Sequence, residues 1–257
     1  MRELVYPPVL LAARGLFAAL GLRFSIEDAH HVPHSGGAVL ASNHVSYLDF
    51  TFVGYGARDA GRLVRFMAKE SVFRHPVAGP LMRGMHHIPV DRAAGSAAFR
   101  GAMSALKAGE LVGVFPEATI SRSFELKEFK AGAARMAQAA GVPLVPTVVW
   151  GGQRIYTKGR PRDFTHRGKA ITVAFGEPLT PGRRDNGDEV TAELRRRMTS
   201  LLDRVRAAYP DRPAGDDDRW WLPASMGGSA PRPEEASALD AAEAATSDGT
   251  ATGADAG

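Results

Sequence analysis

The sequence contains no cysteine. That single absence excludes disulfides, thiolate metal sites and a cysteine nucleophile, and it fits a reducing, cytosolic compartment. No uninterrupted apolar run reaches the ~18–20 residues that a membrane-spanning helix requires. The nearest stretch, Val9 to Leu22, is broken by Arg14 and Gly15 and preceded by Pro7-Pro8. A cleavable signal peptide is not indicated either, because the start is nearly neutral (Arg2, Glu3) and no small-residue cleavage site follows. Two readings of this stretch stand. It is an interfacial helix, with Leu10, Leu11, Phe17 and Leu20 dipping into lipid and Arg14 among the headgroups, or it is a helix packed on the protein core. The Gly-x-Ser-x-Gly nucleophile elbow of many hydrolases is missing, as is any nucleic-acid-binding motif.

Charge is present but unevenly placed. Residues 213–257 hold nine acids and two arginines, a net of −7, so residues 1–212 carry 30 basic and 19 acidic side chains, a net of +11. A basic body suits anionic partners such as phospholipid headgroups, phosphorylated substrates or nucleic acid, and the sign alone does not choose among them.

At 257 residues the chain is long enough for one large α/β domain or two small ones. Short buried-strand patterns at Ala38 to Ala41, Leu63 to Ala68, Leu111 to Phe115, Leu144 to Trp150 and Ile171 to Phe175 alternate with helical patterns. Those helices begin near Tyr47 and run over Ser96 to Lys107, Phe129 to Ala140 and Val190 to Tyr209. The second starts with Ser96 as N-cap and carries Phe99, Met103 and Leu106 on one face; Gly141 closes the third. The alternation predicts a single α/β domain over 25–212 with a largely parallel, helix-covered sheet. Residues 1–24 form the membrane-associating helix. The acidic tail, 213–257, is too poor in apolar residues to order itself and reads as disordered, apart from Trp220-Trp221-Leu222, which docks on the body or sits at a membrane interface.

The sharpest local feature is Asn43-His44-Val45-Ser46-Tyr47-Leu48-Asp49, directly after the first of these strands. Strand carboxyl ends are where open α/β sheets place their sites, and a neutral imidazole is a natural general base near pH 7. On one continuous helix, His44 and Asp49 would point roughly 140° apart. They meet only if His44 lies before the helix begins. Ser46-x-x-Asp49 supplies that start as a capping-box pattern, with Ser46 at the N-cap and Asp49 at N3, so the carboxylate reaches back to one ring nitrogen. Taken alone, the pair also reads as a helix cap and a loop histidine. A second feature is Phe115-Pro116-Glu117-Ala118-Thr119-Ile120-Ser121, again after a buried strand. Amides and hydroxyls of such a loop can cradle phosphate oxygens, with Arg122, Lys127 and Lys130 nearby. The remaining histidines show no metal-ligand spacing with carboxylates.

Together these features resemble the glycerolipid acyltransferase family that includes the 1-acyl-glycerol-3-phosphate acyltransferases. Residues 43–49 match its Asn-His-x-x-x-x-Asp motif fully. Residues 115–121 match its Phe-Pro-Glu-Gly-Thr-Arg-Ser motif except at Ala118 and Ile120. Gly84 to Arg92 looks like the segment that ends in an arginine, and Val142-Pro143-Leu144-Val145-Pro146 corresponds to a later Val-Pro-x-x-Pro block. The resemblance implies His44 as general base and Asp49 as its orienting partner. It implies Asn43, Arg92, Glu117, Ala118, Thr119, Ser121, Arg122 and Lys130 around the acceptor and its phosphate. It further implies direct acyl transfer from acyl-CoA or acyl-carrier protein to a lysophospholipid hydroxyl, most simply giving phosphatidic acid. No cofactor or metal is implied, no nucleic acid is a partner, and the place of work is an anionic membrane surface on the cytoplasmic face, met peripherally or as a monotopic protein. One departure matters: Ile120 stands where the family has an arginine, so Arg122 or Lys130 must substitute, or the acceptor is another lipid or glycolipid. Ala118 in place of glycine disfavours a positive φ there. From a different class, a catalytically inactive membrane-binding module is the alternative.

Overall fold

The computed structural model describes residues 3–91 and 95–251. Among these, seven strands build one sheet: β1 (Arg23–Glu27), β2 (Ala38–Ser42), β3 (Val64–Lys69), β4 (Ile88–Val90), β5 (Leu111–Val114), β6 (Leu144–Trp150) and β7 (Ala170–Phe175). The spatial order is β1-β7-β6-β2-β5-β3-β4. Every neighbouring pair is parallel except β6 with β7. The carboxyl ends of β6, β2, β5, β3 and β4 therefore share one edge of the sheet, where α/β folds build their sites.

The central strands read as continuous apolar runs because both faces are covered. Along β2, Ala38 and Leu40 join a cluster on one face with Phe17, Phe52 and Val53. Val39 and Ala41 point the other way, to Ala102, Leu106, Met136, Leu194 and Met198. The first face is covered by α1 (Tyr6–Ala19) and α2 (Asp49–Gly56). The second is covered by α5 (Gly95–Lys107), α6 (Gly132–Ala140) and α7 (Gly187–Ala208). Two short helices, α3 (Glu70–Arg74) and α4 (Ala78–Gly84), follow β3 and pack around Tyr6, Phe73, Met82 and Met85. This is the single α/β domain that the alternation of patterns predicts.

Several elements start or face differently from the sequence expectation. The helix after Ser46 becomes regular only at Asp49. In α5 the helix already includes Gly95, so Ser96 is inside it and not its cap, and the buried stripe is Ala98, Ala102 and Leu106 while Phe99 is 36% exposed. For α7 the expected inward face of Leu194, Met198, Leu201, Leu202 and Val205 is buried. Asn186 caps this helix, its side chain accepting from the Asp188 amide at 2.9 Å. The edge strand β1 escaped notice because only one of its faces meets the core.

The N-terminal helix is part of the domain. Phe17 packs against Phe24, Phe52 and Tyr55, with ring centroids 5.2, 5.4 and 5.7 Å away. Phe17 and Leu20 are buried in the protein, which corrects their assignment to lipid, and Leu10 is half-buried against the α3–α4 cluster. Only Leu11 of the four expected lipid-facing residues is exposed.

The acidic tail is also corrected over its described part. After α7 the chain runs through a short helical turn, Asp216–Trp221, into α8 (Pro233–Ala251). Trp221 docks on the body, buried beside Tyr209 with the Arg154 guanidinium 4.6 Å from its ring centroid. The composition argument missed this because one buried indole and a set of ion pairs, not a broad apolar face, hold the segment in place.

Gly113, in the middle of β5, has a packing role that only glycine fills. A Cβ there would lie 2.5 Å from the Phe66 ring and 2.8 Å from Val64. Gly113→Ala should therefore lose about 1–3 kcal/mol through overpacking, measured as the shift in urea-unfolding free energy. An unchanged value would mean that Phe66 moves aside freely.

Candidate active site

His44 leaves β2 at the shared carboxyl edge and is followed by a tight turn rather than by helix. Asp49, the first residue of α2, is fully buried. Its Oδ2 accepts three N–H groups: the Nδ1 of His44 at 3.0 Å and the amides of Val45 and Ser46, both at 2.7 Å. Ser46 Oγ in turn accepts from the Leu48 amide at 3.1 Å and donates to the Tyr156 carbonyl at 2.7 Å. Only one arm of the expected capping box forms, the Asp49 carboxylate on the Ser46 amide; the Ser46 hydroxyl takes the Leu48 amide instead, and regular helix begins at Asp49 with Leu48 as its N-cap. An ionised carboxylate only accepts, so Nδ1 carries the proton and Nε2 is left with a free lone pair. Burial pushes the Asp49 pKa upward, opposed by its hydrogen bonds to His44, Ser46 and Val45. A more basic carboxylate grips the Nδ1 proton more firmly.

The imidazole is also held by its ring face. Phe115, just past β5, stacks on His44 with centroids 4.1 Å apart and planes 17° from parallel. Phe66 stacks behind Phe115 at 6.1 Å and 15°. Phe66 is fixed in turn by Gly113, which leaves room for its ring, and by its own amide donating to His87 Nδ1 at 3.0 Å. Burial lowers the His87 pKa to about 4, so that ring is neutral and accepts. The His44 side chain keeps 19% exposure, enough for a reactant to reach it.

Three of the residues expected around a substrate are instead built into the scaffold. Asn43 bridges β2 to β6, its side-chain amide donating to the Val149 carbonyl at 3.0 Å while its Oδ1 accepts from the Val149 amide at 2.7 Å. Glu117 is buried, with Oε1 accepting from the His44 amide at 2.8 Å and Oε2 from the Lys127 amide at 2.9 Å. Ser121 is buried, its hydroxyl donating to the Glu125 carbonyl at 2.7 Å, and its amide donates to the His44 carbonyl at 2.8 Å. These contacts hold the His44 loop against the loop that follows β5; none of the three side chains is free to meet a phosphate. A motif match identifies residue types without saying which way they point.

The others lie differently. Ala118 is exposed and adopts φ 60°, so the loop keeps the left-handed turn that a glycine would ease, at about 1–2 kcal/mol of strain. Thr119 is half-buried and Lys130 exposed. Ile120 is buried, so the side chain at the family's arginine position points inward. Arg122 does not face open solvent: its Nε donates to Asp240 at 3.1 Å and its Nη2 to Glu243 at 2.6 Å, both on α8. Arg92 lies outside the described residues. Sequence reasoning missed Gly152, in the loop after β6. A Cβ there would stand 3.0 Å from Ser46 and 3.2 Å from Asp49 Oδ1, so the glycine lets this loop close over the buried carboxylate. It also missed Lys158, paired with Asp240 and Glu243 at 2.8 and 2.9 Å.

Comparison with known proteins gives the geometry a context. A family model described as Acyltransferase matches residues 23–150. A 1-acyl-sn-glycerol-3-phosphate acyltransferase of Bacillus subtilis is 30% identical over 173 residues, covering 65% of this chain and 80% of that protein. The alpha form from Homo sapiens is 32% identical over 201 residues, covering 77% and 69%. The chain spans about half, 49%, of a chloroplastic relative from Arabidopsis thaliana at 30% identity. Among solved structures, the 1-acyl-sn-glycerophosphate acyltransferase PlsC of Thermotoga maritima shares the fold, with a TM-score of 0.66 over 80% of this chain and 81% of that one at 22% identity.

Glu117 gives a pH-dependent test of the scaffold. Burial, reinforced by the charge of Asp49, raises its pKa from an ordinary 4.5 to about 7 against the pull of its two amide donors. Between those values the folded protein holds a proton that the unfolded chain has released, so this contribution to stability is complete below pH 4.5 and lost as pH rises through 7. The non-titrating variant Glu117→Gln lacks that slope. The stability of the wild type relative to Glu117→Gln should therefore fall by about 3 kcal/mol from pH 4.5 to pH 8, as urea unfolding measures it. A difference that stays flat would show Glu117 ionised throughout.

Proposed function

The chain belongs to the acyltransferase family, and we propose that it moves a fatty acyl group from acyl-CoA or acyl-carrier protein to the free hydroxyl of 1-acyl-glycerol-3-phosphate, giving phosphatidic acid. The observation that carries this reading is the His44–Asp49 pair: an imidazole tethered through Nδ1 to a fully buried carboxylate and left with a free Nε2. Supporting it are relatives named for this acyl transfer and the position of the pair at the carboxyl edge of the sheet.

The chemistry runs without an enzyme-bound acyl group. Nε2 of His44 takes the proton of the acceptor hydroxyl as the oxygen attacks the thioester carbonyl. Asp49 stabilises the imidazolium that forms. The tetrahedral intermediate collapses with cleavage of the C–S bond, and the thiolate leaves with the proton returned from His44. The residues call for no cofactor. Phosphate recognition falls to the basic residues beyond β5, with Arg122 standing in for the arginine that Ile120 displaces. Because Ile120 is buried and apolar, a lipid or glycolipid acceptor lacking the phosphate is the second reading.

The protein works at an anionic membrane surface, on the cytoplasmic face to which a cysteine-free chain is suited. Among the described residues no helix is long and apolar enough to cross a membrane. Support for surface binding comes from α1, which is apolar on both sides: one side packs on the core, while Leu11 and Leu16 are exposed at 69% and 51%, as is Leu4, just before the helix, at 76%. Val77, just before the neighbouring α4, and Leu81, within it, are exposed as well. Residues whose apolar surface finds no protein partner favour the acyl-chain boundary, and the basic body adds attraction to anionic headgroups.

The purified protein, given acyl-CoA and lysophosphatidic acid, should release thiol and form phosphatidic acid. His44→Ala and Asp49→Asn should each lower kcat by about 10²–10⁴-fold. Absence of transfer to every lysophospholipid, or full activity in His44→Ala, would sink the mechanism; transfer only to a phosphate-free acceptor would favour the second reading. The double variant Leu11→Glu/Leu16→Glu, which alters exposed positions, should sediment with phosphatidylglycerol vesicles at least about 10-fold more weakly. Undiminished binding would leave the basic body as the sole attachment.

A further inference from the structure

The acidic tail meets the body at one defined place. Asp240 and Glu243, one helical turn apart on α8, lie against Arg122, Lys127 and Lys158. Asp240 receives Arg122 at 3.1 Å, Lys127 at 2.7 Å and Lys158 at 2.8 Å, and Glu243 receives Arg122 at 2.6 Å and Lys158 at 2.9 Å. Three cations gather around two carboxylates.

The cation cluster belongs to the active-site frame. The Ser121 amide donates to the His44 carbonyl, and the next residue is Arg122. Thr157 Oγ1 donates to the Val45 carbonyl at 2.7 Å, and the next residue is Lys158. The Lys127 amide donates to Glu117, whose other oxygen holds the His44 amide. Three hydrogen-bond anchors around His44 thus each lie at or next to a cation of the same cluster. Space is also reserved for it: a Cβ on Gly159, at φ +74°, would lie 2.3 Å from Arg122 Nη1.

The last helix of the tail, by contrast, buries little apolar surface. Among the described side chains of α8 only Ala236 is buried, and Leu239 is 46% exposed. The helix is held to the body chiefly by this ion-pair network, in which Arg122, Lys158 and Asp240 keep 14–16% side-chain exposure and Glu243 52%, so the contact rests on charge and salt weakens it. A contact that rests on charge rather than on apolar burial yields to a stronger anion. A phosphate monoester carries nearly two negative charges on three acceptor oxygens of one compact group, which suits three converging cations better than two separate carboxylates.

We propose that Arg122, Lys127 and Lys158 form a site for a phosphate monoester, and that α8 closes this site by placing Asp240 and Glu243 in it as an intramolecular competitor. The proposal rests on the lysophosphatidate reading above for the identity of the natural occupant. A tethered competitor lowers the fraction of open sites and so raises the apparent KM for the acceptor without changing the chemical step.

The test compares the full-length wild type with the double variant Asp240→Asn/Glu243→Gln and with Lys158→Ala. With lysophosphatidic acid as acceptor, the double variant should show an apparent KM at least about 3-fold lower at unchanged kcat, and Lys158→Ala a raised KM. A strap that merely stabilises the fold would shift both variants the same way, with lower melting temperatures and higher KM, and that result would overturn the proposal. Binding is measured separately from catalysis, by sedimentation with phosphatidylcholine vesicles with and without phosphatidic acid and by calorimetric titration with inorganic phosphate. Tighter binding by the double variant supports the site, the vesicle arm identifying a lipid headgroup and the calorimetric arm a free phosphate. No gain in either arm overturns it. A gain in binding with no acyl transfer by any form would count against the proposed reaction and leave the anion site standing.

Discussion

One oxygen atom organises this site. Asp49 Oδ2, wholly removed from solvent, accepts the ring N–H of His44 and the amides of Val45 and Ser46. Three donors on one buried anion leave the intervening chain little choice of path: residues 44–48 must curl around the carboxylate instead of continuing β2 or starting α2 early. The same contact that shapes the turn sets the tautomer of His44. Hydrogen bonds to a charged acceptor contribute roughly 1.5–3 kcal/mol each, and losing the acceptor would strand two buried amides. Catalytic geometry and local folding are therefore one constraint and cannot be tuned separately.

The surrounding structure serves that constraint. Glu117 holds the His44 amide from the side of β5, Asn43 locks β2 to β6 immediately before the histidine, and Tyr156 receives the Ser46 hydroxyl from the loop after β6. Three adjacent strands, β6, β2 and β5, each contribute an anchor at the shared carboxyl edge. A parallel arrangement is what makes this possible, since antiparallel neighbours would send their connections to opposite edges. The stacked rings of Phe66, Phe115 and His44 then fix the imidazole plane. Burial of Asp49 and Glu117 disfavours their charged forms, a local expense that sites of this kind commonly carry and that the packed sheet offsets.

What the sequence revealed and concealed follows from the range of the interactions. Buried strands such as Leu144–Trp150 and the amphipathic α7 were legible because their apolar patterns are local and their partners generic. The meeting of His44 with Asp49 was legible because a start signal, Ser46-x-x-Asp49, sits between them. The roles of Asn43, Glu117 and Ser121 were not, since their partners Val149, Lys127 and Glu125 depend on loop directions that composition does not encode. For α1 both readings stayed open, because with apolar residues on both sides periodicity does not say which side the protein takes; Phe17 and Leu20 face the core and Leu11 faces out.

The tail was the least legible element, and its physics explains why. Composition judges whether a segment can bury apolar surface, and by that measure α8 has little to offer. Its order comes from charge complementarity with residues more than 80 positions away in sequence, Arg122, Lys127 and Lys158. The opposed charges of body and tail, which look like two unrelated features along the chain, are two halves of one contact. That contact falls beside the motif position where the family's arginine has become a buried isoleucine. Removing a guanidinium from the loop leaves the neighbouring Arg122, Lys127 and Lys158 to supply positive charge, and a cluster built from side chains on separate loops is more open than a single motif arginine. Such a cluster, left bare, would attract any phosphate or headgroup it met. An acidic helix held by charge reduces that indiscriminate binding while remaining displaceable, which accounts for a tail that is strongly charged, poor in apolar residues and still ordered.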